Sequence, residues 1–163
     1  MHPWQKAGVR PEDAVSVLAH LRVFPEGALR TEGQLLGYVF ITDQKYDDRK
    51  FRLPGGGKDP QETPREAVAR ELREETGLVV APSAFRFVDA VLSPGAGVHW
   101  SCLFTADIDT REVAWMNSSH AKNEGEVPHL LKLPEFETAV AAGKILEPHL
   151  ARLIAHRLVR KHI

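Results

Sequence analysis

Three glutamates stand close together in one short segment of the chain: Glu71, Glu74 and Glu75. Their spacings of three and four residues place them on one face of an α-helix. Like charges at this spacing repel one another, and a divalent cation would replace the repulsion by ligation. Mg²⁺ prefers oxygen ligands and often binds a few carboxylates together with substrate phosphates. The face is therefore a candidate metal site, and the alternative is a solvated charged helix face.

The segment that carries these glutamates has strong helix signals, and we predict a helix from Thr63 to Thr76. Thr63 is suited to the N-cap, Pro64 to the first helical position, and Glu66 completes a capping box. Gly77 stands where a left-handed C-terminal cap is expected.

Three consecutive glycines, Gly55, Gly56 and Gly57, precede this helix. Glycine permits tight turns and a close approach of the backbone to a phosphate or a metal. An ordinary turn would not need three of them, although a turn remains the simpler alternative.

The arrangement around the helix resembles the Nudix box. Five residues separate Gly56 from Glu62, and seven residues separate Glu62 from Arg70. The run from Arg70 to Leu78 then reads RELREETGL. This segment, 56–78, matches every defined position of the motif and covers 23 of 163 residues. The resemblance implies an α/β fold, the Nudix-type α/β/α sandwich with a central mixed β-sheet flanked by helices. We expect residues 1–163 to form a single domain of this type.

The resemblance also implies an activity, in which water substitutes at phosphorus in a diphosphate with the help of Mg²⁺, for which Mn²⁺ could substitute. It implies that Glu71, Glu74 and Glu75 bind metal with Gly56 beside them, and that Glu75 and Arg70 belong to the catalytic group. Arg70 would orient the metal ligands. The candidate substrate contacts are Gly55, Gly57, Glu62 and Pro94.

Two regions outside the box are similar to the ADP-ribose pyrophosphatase branch. The first is Ser93-Pro94-Gly95, for which a plain loop is an equal alternative. The second is the acidic stretch 123–126, where that branch places a loop with a metal ligand or general base. Glu124 is the first candidate for the base and Glu126 the second, against the alternative of a solvated loop. The chain departs from the branch in having only 55 residues before Gly56.

The remaining elements follow from hydrophobic periodicity. Trp100 and Cys102 alternate along one strand and are expected in the core. We predict a loop at 42–50, a turn at 94–97, and a polar loop at 117–126. The predicted strands are 15–23, 34–41, 79–92, 98–108 and a short one at 113–116, and the predicted later helices are 134–142 and one beginning at Glu147.

Composition and charge limit the possible partners and the possible compartment of the protein. The formal net charge is −1 and there is one cysteine, which argues against a general nucleic-acid binder and a disulfide framework. No apolar run approaches the length of a membrane span, so we expect a cytoplasmic protein. Its partner would be a small nucleoside diphosphate derivative, and the family resemblance admits a homodimer.

Three functions fit the box. The first is cleavage of ADP-ribose or a nucleotide sugar to a nucleoside monophosphate and a sugar phosphate. The second is a pyrophosphohydrolase that acts on oxidised nucleoside triphosphates and releases pyrophosphate. The third is a module that senses nucleotides without cleaving them, which usually lacks box glutamates that are all present in this chain.

Overall fold

The computed structural model describes residues 15–27, 35–43, 47–95, 97–113 and 125–145. Glu124 and the helix predicted from Glu147 onward lie outside the described residues. The strands are β1 (Val15–Phe24), β2 (Gly37–Asp43), β3 (Asp47–Arg52), β4 (Gly55–Gly57), β5 (Arg86–Gly95), β6 (Gly97–Asp109) and β7 (Glu126–Leu131). The helices are α1 (Pro64–Thr76), α2 (Thr110–Val113) and α3 (Leu133–Ala141), with a 3₁₀ turn at Pro82–Ala84.

The strands form one mixed sheet in the order β3-β2-β1-β6-β5. β1 and β6 are parallel, whereas β1 with β2, β2 with β3 and β5 with β6 are antiparallel. Two further strands join it: β4 pairs with the first half of β1, and β7 pairs with β2 along its whole length. In the register, Asp43 at the end of β2 faces both Asp47 and Glu126, and Ile41 faces Arg52 at the end of β3. These strand ends therefore meet at one corner.

Helices cover both faces of this sheet. Ala67, Val68 and Leu72 of α1 pack on one face against the odd-numbered residues of β1. Phe136 and Ala139 of α3 pack on the other face against β2. The predicted α/β/α sandwich with a central mixed sheet is thus confirmed. Cys102 is fully buried, as expected, and Trp100 packs half-buried against the α1-side core.

Several predicted boundaries were wrong. The stretch 42–50 was predicted as a loop, but Thr42 and Asp43 complete β2 and β3 begins at Asp47. β3 pairs only with β2 among the described strands, so it is held by backbone hydrogen bonds and needs no apolar face. Glu126 was placed at the end of a loop and instead begins β7.

Two strand predictions around the β5–β6 hairpin were also wrong. The strand predicted from Val79 begins only at Arg86, because Pro82 starts a 3₁₀ turn and Val79 is exposed. The turn predicted at 94–97 is shorter, since both strands run on until Gly95 pairs with Gly97. Val113 ends the short helix α2 rather than beginning a strand.

None of the described helices has the length and apolar character required to cross a membrane. The single domain, the homodimer and the cytoplasmic location stay predictions.

Candidate active site

The helix α1 begins and ends as its sequence predicts. The Thr63 side chain accepts a hydrogen bond from the Glu66 backbone N–H, and Glu66 accepts one from the Thr63 N–H. Gly77 closes the helix in the left-handed conformation, with φ of 78°. These caps satisfy backbone groups that a helix end leaves open, so they determine where each box glutamate lies.

The glycine run forms the strand β4 rather than a plain turn, and it lies between β1 and α1. A Cβ atom at Gly55 would collide with the carbonyl oxygen of Val17. A Cβ atom at Gly56 would lie 2.6 Å from the carboxyl carbon of Glu71. Space therefore requires glycine at Gly55, a side chain at Gly56 would displace the Glu71 carboxylate, and Gly57 has open space around it.

Glu75 is the most buried of the three box glutamates. Its side chain is 5% exposed, and its Oε2 accepts a hydrogen bond of 3.4 Å from the Gly55 N–H. Burial raises the pKa of Glu75, the charges of Glu126 and Glu71 raise it further, and Arg52 and the Gly55 N–H lower it. A bound cation stabilises the charged form of a carboxylate that is buried near two others more than that of an exposed one.

Arg70 gathers the other acids of the box. Its guanidinium lies 2.6 Å from Glu62 through Nη2, with Nε donating to the second oxygen of the same carboxylate at 3.1 Å. Its Nη1 contacts Glu71 at 3.0 Å and Glu74 at 3.2 Å. The bond from Arg70 holds the pKa of Glu62 below its usual value. Arg70 thus contacts three of the box acids, Glu62, Glu71 and Glu74.

A second arginine, Arg52, lies on the other side of Glu75. Arg52 Nη1 is 3.6 Å from Glu75, and Nη2 is 3.5 Å from both Glu126 and Asp43. Glu126 therefore reaches the box helix, although it lies outside the box. Sequence reasoning missed Arg52 and Asp43. Asp43 lies opposite Glu126 in the β2–β7 register, a pairing that no local signal indicates.

Other predicted site residues are not brought to this corner. Glu74 is half exposed on α1 and contacts Arg70 rather than Glu75. Pro94 lies on β5 opposite Val98, at the tip of the β5–β6 hairpin.

The donor chemistry of the site suits a hard divalent cation, because the acids around Glu75 offer carboxylate oxygens and Gly56 lets the Glu71 carboxylate pack against the glycine strand. Within the described ranges, however, no three acidic, histidine or cysteine side chains already converge on one point. Arg70 and Arg52 are the cations that contact these carboxylates. Glu71 and Glu75 are the box glutamates at the corner that could hold such an ion, whereas Glu74 lies farther out on the helix.

A separate groove of about 700 Å³ lies between β7, α3 and Phe51. Its described lining includes His129, Thr138 and Lys144, and it includes no predicted site residue. His129 contacts the Thr42 hydroxyl at 2.9 Å and packs edge-on against Phe51. The groove therefore lies apart from the acidic corner.

The sandwich and the capped acidic helix beside a glycine strand define a protein of the Nudix-fold class. The family model described as NUDIX domain matches residues 27–145. The chain therefore belongs to the Nudix family, and it is a Nudix hydrolase.

Solved structures share the fold at low sequence identity. A NUDIX hydrolase from Nitrosomonas europaea is 18% identical with a TM-score of 0.59, over 93% of this chain and 94% of that one. A MutT/nudix family protein from Enterococcus faecalis is 20% identical with a TM-score of 0.56, over 79% of this chain. The match spans 48% of that protein's length.

An Ap4A hydrolase from C. elegans, in a binary complex, is 12% identical with a TM-score of 0.54, over 80% of this chain and 86% of that one. No curated protein is similar enough in sequence to count as a relative.

Proposed function

We propose that this Nudix hydrolase cleaves the diphosphate of a nucleoside diphosphate derivative, ADP-ribose or a nucleotide sugar. The products are a nucleoside monophosphate and a sugar phosphate. Mg²⁺ is the proposed cofactor, with Mn²⁺ as a substitute, and Glu71, Glu74 and Glu75 are the proposed ligands.

One observation carries the proposal: Glu126, from outside the box, lies at the same arginine as the box glutamate Glu75. A hydrolase of this kind needs a proton acceptor near the water that attacks phosphorus. The β2–β7 pairing delivers such a carboxylate to the helix. The Ser93-Pro94-Gly95 motif and the acidic stretch 123–126 are similar to the ADP-ribose pyrophosphatase branch. This similarity supports ADP-ribose as the substrate.

The proposed reaction is a substitution at one phosphorus of the diphosphate. Water forms a new P–O bond, the bond from that phosphorus to the bridging oxygen breaks, and one proton of the water passes to Glu126. The divalent ion supplies charge neutralisation and a more acidic water. Glu124 lies outside the described residues and is the alternative acceptor.

The remaining residues position these groups. Arg70 holds Glu62, Glu71 and Glu74 within one set of hydrogen bonds, which limits their motion before the substrate arrives. Of the glycine strand, the backbone of Gly57 is the proposed phosphate contact, because it has open space around it. At Gly55 and Gly56 the missing Cβ instead makes room for Val17 and Glu71.

The test is a product analysis. The purified protein is incubated with Mg²⁺ and ADP-ribose, sugar nucleotides, dinucleoside polyphosphates or nucleoside triphosphates in ¹⁸O-labelled water. We expect AMP and ribose 5-phosphate from ADP-ribose, with the label in one of the two. Pyrophosphate released from nucleoside triphosphates in preference to these products would favour the pyrophosphohydrolase alternative. No turnover of any substrate would favour the nucleotide-sensing module.

A further inference from the structure

Arg52 occupies an unusual position in the corner described above. It ends β3, and its guanidinium faces three carboxylates that come from three other elements: Asp43 of β2, Glu75 of α1 and Glu126 of β7. One positive charge thus faces three acids. Both Asp43 and Glu75 are almost fully buried, so solvent screens these contacts little.

The distances separate Arg52 from Arg22 and Arg70, the two arginines of similar exposure that form ion pairs within the described residues. Arg22 lies 2.7 Å from Asp107, and Arg70 lies 2.6 Å from Glu62. Both distances are typical of short charge-assisted hydrogen bonds. The three contacts of Arg52 are all 3.5–3.6 Å. Arg52 is therefore centred among its acids rather than bound closely to one.

A second observation supports the same interpretation. The buried Nε of Arg52 has no hydrogen-bond partner within the part of the chain that the structure describes. Its other donors make only long hydrogen bonds, from Nη1 to the carbonyl oxygen of Leu53 at 3.4 Å and from Nη2 to Asp43 at 3.5 Å. An arginine that served only to fix the fold would be expected to use this donor, because leaving a buried donor unused is costly.

We propose that Arg52 is a positioning residue that holds Glu75 and Glu126 together and competes with the divalent ion for Glu75. This inference rests on the proposed function in two respects, namely that the box glutamates bind metal and that Glu126 accepts the proton. Arg52 offsets the repulsion among the three acids. With a cation at Glu75, Arg52 would still hold Glu126 near the helix.

Mn²⁺ binding measured by isothermal titration calorimetry tests this without any substrate. In Arg52→Gln, the loss of a positive charge next to a ligand should lower the Kd for Mn²⁺ by about tenfold. Arg52→Lys keeps the charge, so its Kd should stay within about twofold of the parent value. Arg22→Gln removes an arginine of similar exposure that contacts Asp107, and it should leave the Kd unchanged.

Measurements of kcat test the positioning role. Both Arg52 variants should lower kcat by about tenfold or more, since neither side chain can contact three carboxylates at once. Weaker or unchanged Mn²⁺ binding in Arg52→Gln would overturn the proposed competition, and kcat within about twofold of the parent in both variants would overturn the positioning role.

The two arms also separate this inference from the proposed substrate. If ADP-ribose is not cleaved, the calorimetry still decides whether Arg52 competes with the ion. Circular dichroism melting of each variant shows whether it folds. Should Arg52→Gln fail to fold, Arg52→Met, which removes the same charge, takes its place in the calorimetry, and the kcat of Arg52→Lys still tests the positioning role.

Discussion

Glu75 on α1 and Glu126 at the start of β7 contact one guanidinium group, that of Arg52, at 3.6 and 3.5 Å. The helix supplies the first carboxylate and the sheet supplies the second. The function proposed above depends on this meeting point, and four expected outcomes test it and the fold around it.

Replacing Glu126 tests the assignment of the proton acceptor. Glu126→Gln keeps the shape of the side chain and removes its basicity, so kcat should fall by about 10²–10⁴-fold. Steady-state kinetics with Mg²⁺ and ADP-ribose would measure this. Glu137→Gln, an exposed position on α3, is the matched control and should retain activity. A larger loss in Glu124→Gln than in Glu126→Gln would move the assignment to Glu124.

Replacing Glu75 tests the metal site. Glu75→Gln should lower kcat by about a thousandfold or more, because a lost ligand removes several kcal/mol of transition-state stabilisation. Its melting temperature should hold or rise, since burial raises the pKa of Glu75 and a neutral isostere avoids burying a charge. Turnover equal to the parent's, with folding intact, would contradict the ligand assignment.

Adding a methyl group to the glycine strand tests the close approach of β4 to α1. In Gly56→Ala, the new Cβ would lie 2.6 Å from the Glu71 carboxyl carbon and push that carboxylate aside. The affinity for Mn²⁺, measured by calorimetry, should fall by about tenfold or more.

Gly57→Ala is the comparison for this change, because nothing lies within 4 Å of its new Cβ. Its melting temperature and Mn²⁺ affinity should match the parent's. Equal Mn²⁺ affinity in the two variants would show that Gly56 has no steric role at Glu71.

The pH dependence of stability should report on His20. His20 is fully buried, stacks on Tyr38, and neither ring nitrogen has a hydrogen-bond partner among the described residues. Burial, with a smaller contribution from the Arg22 charge, lowers its pKa from 6.5 to about 3. Between these values the unfolded chain binds a proton that the folded chain does not, so stability falls as the pH falls.

The contribution of this one group is about 1.4 kcal/mol per pH unit within that window. His20→Phe keeps an aromatic ring and removes the titration. Urea unfolding from about pH 6 to about pH 4 should therefore show a shallower loss of the free energy of unfolding in the variant. Parallel slopes in the two proteins would show that His20 is protonated in the folded state.

The local part of the site could be predicted from the sequence. Caps, helix periodicity and the box all act within one turn or one motif, so α1 and the order of its acids were predicted correctly from neighbouring residues. The alternation of apolar residues likewise predicted β1, and the buried position of Cys102 on β6 was predicted correctly. These signals are short-range, so they do not depend on the tertiary structure around them.

The corner itself depends on tertiary structure. Arg52 and Asp43 lay in or beside a polar stretch that reads as a loop, and only the pairing of β2 with β3 and β7 brings them to Glu75. Backbone hydrogen bonds make that pairing, and they leave no pattern in side-chain polarity. The sequence alone thus determined which acids line the helix, and the sheet's non-local register decided which further charges meet them.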